Sequence, residues 1–165
     1  MFKKLFGGKS SQKDVTIVAP LTGQVVSIEN VPDPVFSQKM MGNGFAIEPT
    51  DGQVVSPVDG EVIQLFHTKH AIGLKTDAGV EVLIHIGLET VAMNGEGFEA
   101  HVSQGDKVKV GTPLVTFDLN LVKEKAKSTV TPVVITNTDN MESFEMLANG
   151  STEKGSTPCL KVVAK

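Results

Sequence analysis

The sequence predicts an all-β fold: an antiparallel β-sandwich or barrel-sandwich with an internally duplicated motif and a few short helices. Three observations carry this. From Val15 onward, short apolar runs are split by turn chemistry: Thr22-Gly23, Asn43-Gly44, Asp51-Gly52, Asp59-Gly60 and Gly105-Asp106. Turns this frequent are the mark of a sandwich or barrel. A-P-L-T-G-Q-V-V at 19–26 is echoed by S-P-V-D-G-E-V-I at 56–63, and S-Q-G-D-K-V-K-V-G-T-P-L at 103–114 is a third relative. Helical candidates are few and short: Pro34–Met41, Leu119–Ala126 and Met141–Leu147.

The chain, taken in order, opens with M-F-K-K-L-F-G-G-K-S-S-Q-K-D, basic and then rich in Gly and Ser. Residues 1–14 read as a flexible tail ahead of one domain, 15–165. Phe2, Leu5 and Phe6 share a helical side with lysines nearby, which supports at most weak membrane contact. The run is too short for a secretion signal, and no stretch approaches the ~20 apolar residues of a membrane span. The 165 residues suffice for one sizeable core. The net charge of −4 and the absence of Trp and Tyr argue against nucleic acid as a partner. The lone Cys159 cannot close an internal disulfide, which fits a reducing cytoplasm.

The chemistry concentrates in Thr68–Leu88. Thr68–Thr76 reads as a strand, Asp77-Ala78-Gly79 as a turn, and Val80–Leu88 as a second strand rich in β-branched residues. Each arm carries one histidine. A two-residue loop at Asp77-Ala78, or a four-residue loop Thr76–Gly79, sets His70 directly across from His85, with Cβ atoms about 4.5–5.5 Å apart. A three-residue loop throws them onto opposite faces. The expected register is the first kind. It places Thr68 opposite Gly87, buries Val80, Val82, Ile84, Ile86 and Leu88, and leaves Ile72 and Leu83 on the histidine side. An apolar patch around two imidazoles suggests a docking surface. The other reading is a sheet covered on both faces, with the histidines simply hydrogen-bonded inside. His67 and His70 point to opposite sides of a strand, and His101 stands before a turn facing solvent.

Two facing imidazoles allow three chemistries: metal binding with a third ligand from elsewhere, acid–base work, or a nucleophile steadied by its neighbour. The apolar rim favours the third. A neutral imidazole attacks phosphorus well, and the phosphoryl transition state asks mainly for positioning and donors on its oxygens. Thr68 can fix an imidazole tautomer, and Gly87 lets backbone approach the ring. Phosphate-loop, nucleophile-elbow and H-E-x-x-H motifs are absent. A zinc hydrolase would need H-x-H with a distant H-x-x-x-D, and neither spacing occurs. A lipoyl- or biotinyl-type carrier, which the P-x-x-G-x-V phrases also resemble, would need a lysine at a hairpin tip. Lys39-Met40 is the nearest candidate.

V-E-V-L-I-H-I-G-L-E-T-V, N-G-E-G-F-E, G-D-K-V-K-V-G-T-P-L and A-K-S-T-V-T-P-V-V-I-T-N closely resemble the glucose-type enzyme IIA of the bacterial phosphoenolpyruvate:sugar phosphotransferase system. A-P-L-T-G, V-P-D-P-V-F, S-P-V-D-G and H-A-I-G-L extend the likeness over residues 15–165. The resemblance implies a phosphoryl-relay protein. His85 accepts the group on Nε2 from phosphohistidine HPr and yields it to a cysteine of enzyme IIB, free or in an IIBC permease. His70 assists the transfer, Thr68 orients it, and Phe36, Phe66, Ile72, Leu83 and Glu89 form the docking surface. It implies no resident cofactor, with zinc at His70 and His85 only when a partner adds a carboxylate. Some relatives bind regulatory targets through the same face. With no transmembrane or enzyme IIB segment, a free-standing cytoplasmic component is expected.

Overall fold

The structure, a computed structural model, describes residues 13–165. The tail expected at 1–14 lies mostly outside them, and the first strand, β1 (Asp14–Val18), already includes Asp14. The chain then builds β2 (Gly23–Ser27), β3 (Asn43–Pro49), β4 (Gln53–Val55) and β5 (Gly60–Leu65). The site hairpin is β6 (Ala71–Lys75) and β7 (Glu81–His85). After it come β8 (Phe98–Ala100), β9 (Lys107–Val108) and β10 (Pro113–Phe117). The last four strands are β11 (Thr131–Ile135), β12 (Met141–Met146), β13 (Ser151–Thr152) and β14 (Pro158–Ala164). Among the described residues the short α-helices are α1 (Pro34–Ser37) and α2 (Leu119–Lys125), each capped by an aspartate, Asp33 and Asp118.

An antiparallel sheet of eight strands runs β13-β2-β3-β11-β7-β6-β5-β9, and two three-stranded sheets run β1-β14-β12 and β4-β10-β8. The order is a palindrome about the β11–β7 boundary. It pairs β2–β3 with β5–β6, β13 with β9, and one small sheet with the other. The sequence echo therefore marks a real duplication. Its proline–glycine phrases do the same work twice. Val18 N–H donates to the Pro57 carbonyl at 3.0 Å, and Val55 N–H donates to the Pro20 carbonyl at 2.9 Å. Gly23 and Gly60 each open a strand where a Cβ would collide with a neighbouring carbonyl, Glu48 or Lys75.

The main core lies where the small sheets cover one face of the large one, with Ile17, Phe45, Leu74, Ile84, Val115 and Leu160 buried together. A second cluster covers the opposite face of the central strands: Ile28, Val31, Phe36, Ala46, Ala71, Leu83, Leu88, Val130 and Val134. Hence β11 is buried at every residue, as a strand covered on both faces must be.

Two local expectations change. Met141–Leu147 is not helical: it forms the edge strand β12 on β14. The M-E-S-F-E-M composition is helix-prone, but the open edge of β14 supplies partners that outweigh propensity. The helix expected over Pro34–Met41 stops at Ser37, and Lys39 takes a left-handed φ of 60°.

Candidate functional site

The β6–β7 turn has three residues. Thr76 pairs backbone with Val80, and Gly79 takes φ 91°, the left-handed position such a loop requires. The ladder accordingly sets Ala71, not His70, across from His85, and Ile72 across from Ile84. The expected register is off by one residue, and with it the pairing of Thr68 with Gly87. Val80, Val82, Ile84 and Ile86 fill the main core as expected, whereas Leu88 crosses to the second cluster. The cause is Gly87, whose φ of 69° breaks the alternation. Ile72 is fully buried in the main core and does not belong to the docking surface.

The histidines meet all the same. His70 lies just before β6, in a bend entered through a tight turn closed by Lys69 N–H to the Phe66 carbonyl at 2.7 Å. Lys69 is left-handed, with φ 62°. The bend frees His70 from strand alternation and brings its ring beside that of His85, with centroids 5.0 Å apart and planes at 81°. The row continues outward. Phe36 lies 5.1 Å from His85, and Phe66 lies 5.5 Å from His70.

Each imidazole is fixed through Nδ1. His85 Nδ1 is 2.7 Å from the Gly87 carbonyl oxygen. A carbonyl only accepts, so Nδ1 carries the proton and the neutral ring keeps its lone pair on Nε2. His70 Nδ1 is 2.5 Å from Thr68 Oγ1. Thr68 packs its backbone against Gly95, where a Cβ would lie 3.5 Å from the Thr68 carbonyl oxygen.

Electrostatics favour neutral rings. Burial, then the neighbouring His85, pulls His70 down to about 4. Burial also lowers His85, against the opposing pull of the Gly87 hydrogen bond and the Asp33 carboxylate. His70 is buried at 4% exposure, and His85 is half-buried.

Of the other expected residues, Phe36 and Leu83 are buried in the second cluster and Phe66 packs at its margin. Glu89 is exposed and left-handed at φ 60°, heading the 3-10 turn Thr90–Met93. His101 is exposed, with Nε2 2.6 Å from Thr116 Oγ1. Lys39 sits at no hairpin tip, and its amine pairs with Glu29 at 3.1 Å. Asp33 and Ala71 escaped the sequence reading. The D-P step of V-P-D-P-V-F was a helix-start signal for Asp33. Counting the turn as three residues would have found Ala71. Exposed apolar side chains lie close in sequence to Phe36 and Glu89: Val35 of α1, Met40 just after it, and Val91 in the 3-10 turn.

Among the described residues no group of three or more His, Cys, Asp or Glu side chains could hold a metal ion. The histidine pair supplies two ligands, and a tetrahedral zinc site of its own would need more. The zinc-hydrolase reading finds no support in this arrangement.

A family profile described as phosphoenolpyruvate-dependent sugar phosphotransferase system, EIIA 1, matches residues 15–141. The chain belongs to this EIIA family. It is 64% identical over 165 residues to the PTS system glucose-specific EIIA component of Bacillus cereus, covering 100% of both chains. The Halalkalibacterium halodurans protein of the same name is 59% identical over 169 residues, with 98% of each chain covered. Among solved structures, glucose permease IIA from Mycoplasma capricolum superposes with a TM-score of 0.85 at 38% identity, covering 90% of this chain and 96% of that one. The protein is thus a phosphotransferase-system EIIA, a phosphoryl-relay component of sugar uptake on an antiparallel β-sandwich. No helix among the described residues is long and apolar enough to cross a membrane.

Proposed function

We propose that His85 is the phosphoryl carrier of this EIIA, loaded by phosphohistidine HPr and emptied onto a cysteine of enzyme IIB or an IIBC permease. The observation that carries this is the His85 Nδ1–H bond to the Gly87 carbonyl. It leaves Nε2 unprotonated, and burial keeps the ring neutral. In the loading step Nε2 bonds to phosphorus as the donor's N–P bond breaks and its pair returns to the donor imidazole. In the second step the cysteine thiolate bonds to phosphorus, and the His85 N–P bond breaks, restoring the Nε2 pair. Neither step needs an oxidant, a metal or a nucleotide.

His70 assists. A Thr68 hydroxyl that donates to His70 Nδ1 keeps the proton on Nε2, and that N–H steadies a phosphoryl oxygen. Phe66, Val35, Met40 and Val91 form the apolar part of the docking face, over a floor of buried Phe36 and Leu83, with Asp33 and Glu89 as its acidic members. The names of the relatives support glucose as the sugar served, and exchange with HPr would take place in the cytoplasm. The protein holds no resident cofactor; zinc binds His70 and His85 only where a partner adds ligands. Regulatory partners would compete for this same face.

Incubation with labelled phosphoenolpyruvate, enzyme I and HPr tests the reading. The expected product is a base-stable, acid-labile phosphohistidine that His85→Ala abolishes. Equal labelling of that variant would overturn the assignment. His70→Ala should be labelled yet fail to deliver; normal delivery to enzyme IIB would remove His70 from the reaction.

A further inference from the structure

The Gly87 carbonyl that sets the His85 tautomer belongs to a segment clamped on every side. Gly87 is left-handed at φ 69°, and two peptide units flank it. In the first, the Ile86 carbonyl accepts the Thr90 hydroxyl at 2.6 Å, while Gly87 N–H donates to Thr131 Oγ1 at 3.2 Å. In the second, the Gly87 carbonyl accepts His85 Nδ1–H, while Leu88 N–H donates to the Ser128 carbonyl at 2.9 Å. Thr131 passes its own hydroxyl proton to the Thr129 carbonyl at 3.0 Å. Thr90 and Thr131 are fully buried at 0% exposure.

Buried hydroxyls are kept where they satisfy partners that water cannot reach. Here the partners are the two ends of the peptide unit next to the one that sets the imidazole. A glycine can rotate cheaply. Without the clamp the Gly87 carbonyl would be free to swing away from Nδ1, and the ring could then carry its proton on either nitrogen. Only the Nδ1–H form presents a bare Nε2.

We infer that Thr131 and Thr90 are positioning residues for phosphoryl transfer, locking the Gly87 segment so that His85 stays in the Nδ1–H tautomer. This rests on the reading of His85 as acceptor. Neither threonine touches the reacting atoms; each acts through backbone.

The experiment compares Thr131→Val, which keeps the branched shape and removes the hydroxyl, with Thr131→Ser, which keeps the hydroxyl. Long-range proton–nitrogen NMR reads which His85 nitrogen is protonated, and single-turnover labelling from phospho-HPr reads the rate. Thr131→Val should give mixed tautomers and label about tenfold more slowly, the scale on which lost orienting partners act. Thr131→Ser should restore both. Thr90→Val is a second route to the same result if Thr131→Val folds poorly. Thr152→Val, which removes a buried hydroxyl bonded to the Leu21 carbonyl at 2.9 Å on the edge strand β13, should lose stability alone. An unchanged tautomer in Thr131→Val, or a mixed tautomer with an unchanged rate, overturns the inference. Labelling that survives His85→Ala would instead remove the acceptor reading beneath it.

Discussion

Ala71 stands across from His85 in the β6–β7 ladder, and His70 reaches the same ring from outside the ladder. The pair is thus assembled by two devices, a strand end for His85 and a left-handed bend for His70. The first is rigid. The second depends on one backbone angle at Lys69.

That dependence makes Lys69 a test position. Lys69→Gly accepts φ 62° more readily than lysine. It should leave delivery to enzyme IIB intact. Lys69→Val places a β-branched residue in a left-handed conformation, at a cost of about 1–3 kcal/mol. Delivery should fall about tenfold while His85 is still loaded. Loading and delivery rates from phospho-HPr to enzyme IIB distinguish the two steps.

Gly87→Ala should be damaging for two separate reasons. The φ of 69° disfavours any side chain, and a Cβ would sit 2.7 Å from Thr90 Cγ2 and 2.9 Å from the Ser128 carbonyl oxygen. We expect a loss of about 1–3 kcal/mol in urea unfolding, together with slower labelling. A variant with wild-type values in both assays would refute the strain argument.

The pH dependence has a definite sign. His70 is held neutral, with its pKa lowered from 6.5 to about 4. The unfolded chain therefore binds more protons between those values. This contribution to stability is whole above pH 6.5 and is lost as pH falls toward 4. His70→Gln should flatten the stability profile across that window. Urea midpoints at pH 7.5, 5.5 and 4.5 for both proteins decide it.

Asp33→Asn separates charge from structure. Asparagine caps α1 about as well as aspartate, so the helix should hold. The carboxylate that raises the His85 pKa would be gone. The His85 ring protons should titrate at lower pH in the variant. An upward shift, or none, would mean that the Asp33 field does not reach the ring.

Ile72 and Val91 should divide stability from docking. Ile72→Ala opens a cavity in the main core and should cost about 2–5 kcal/mol without weakening HPr binding to the folded fraction. Val91→Asp alters a side chain that is 54% exposed. Stability should stay within about 0.5 kcal/mol, while the Kd for HPr rises. Calorimetric titration and denaturant melts give the two readouts.

Much of this was legible in the residues. Turn chemistry announced the β architecture, the proline–glycine echo announced the duplication, and the two strands with one histidine each announced the pair. What escaped was what sequence pattern encodes weakly. Asp77-Ala78-Gly79 fits loops of several lengths, and only Gly79's left-handed φ selects three residues. That single count moved Ile72 from the docking face to the core. The bend at Lys69, which rescues the histidine pair, leaves no periodic signal. The polar clamp on Gly87 draws Thr90 and Ser128 from the loop and helix side and Thr131 from β11. Such a convergence exists only after folding.

The palindromic strand order has a consequence for how the chain folds. One half, β4–β10, is continuous, while the other is split between β1–β3 and β11–β14. The split half is closed by β1 on β14, where Asp14 lies across from Val163, a contact that spans almost the whole polymer. Linking the chain ends and reopening the polypeptide in the β3–β4 turn would make both halves contiguous. Such a circular permutant keeps the histidine hairpin untouched and lowers contact order. It should reach the native state faster than the natural connectivity does.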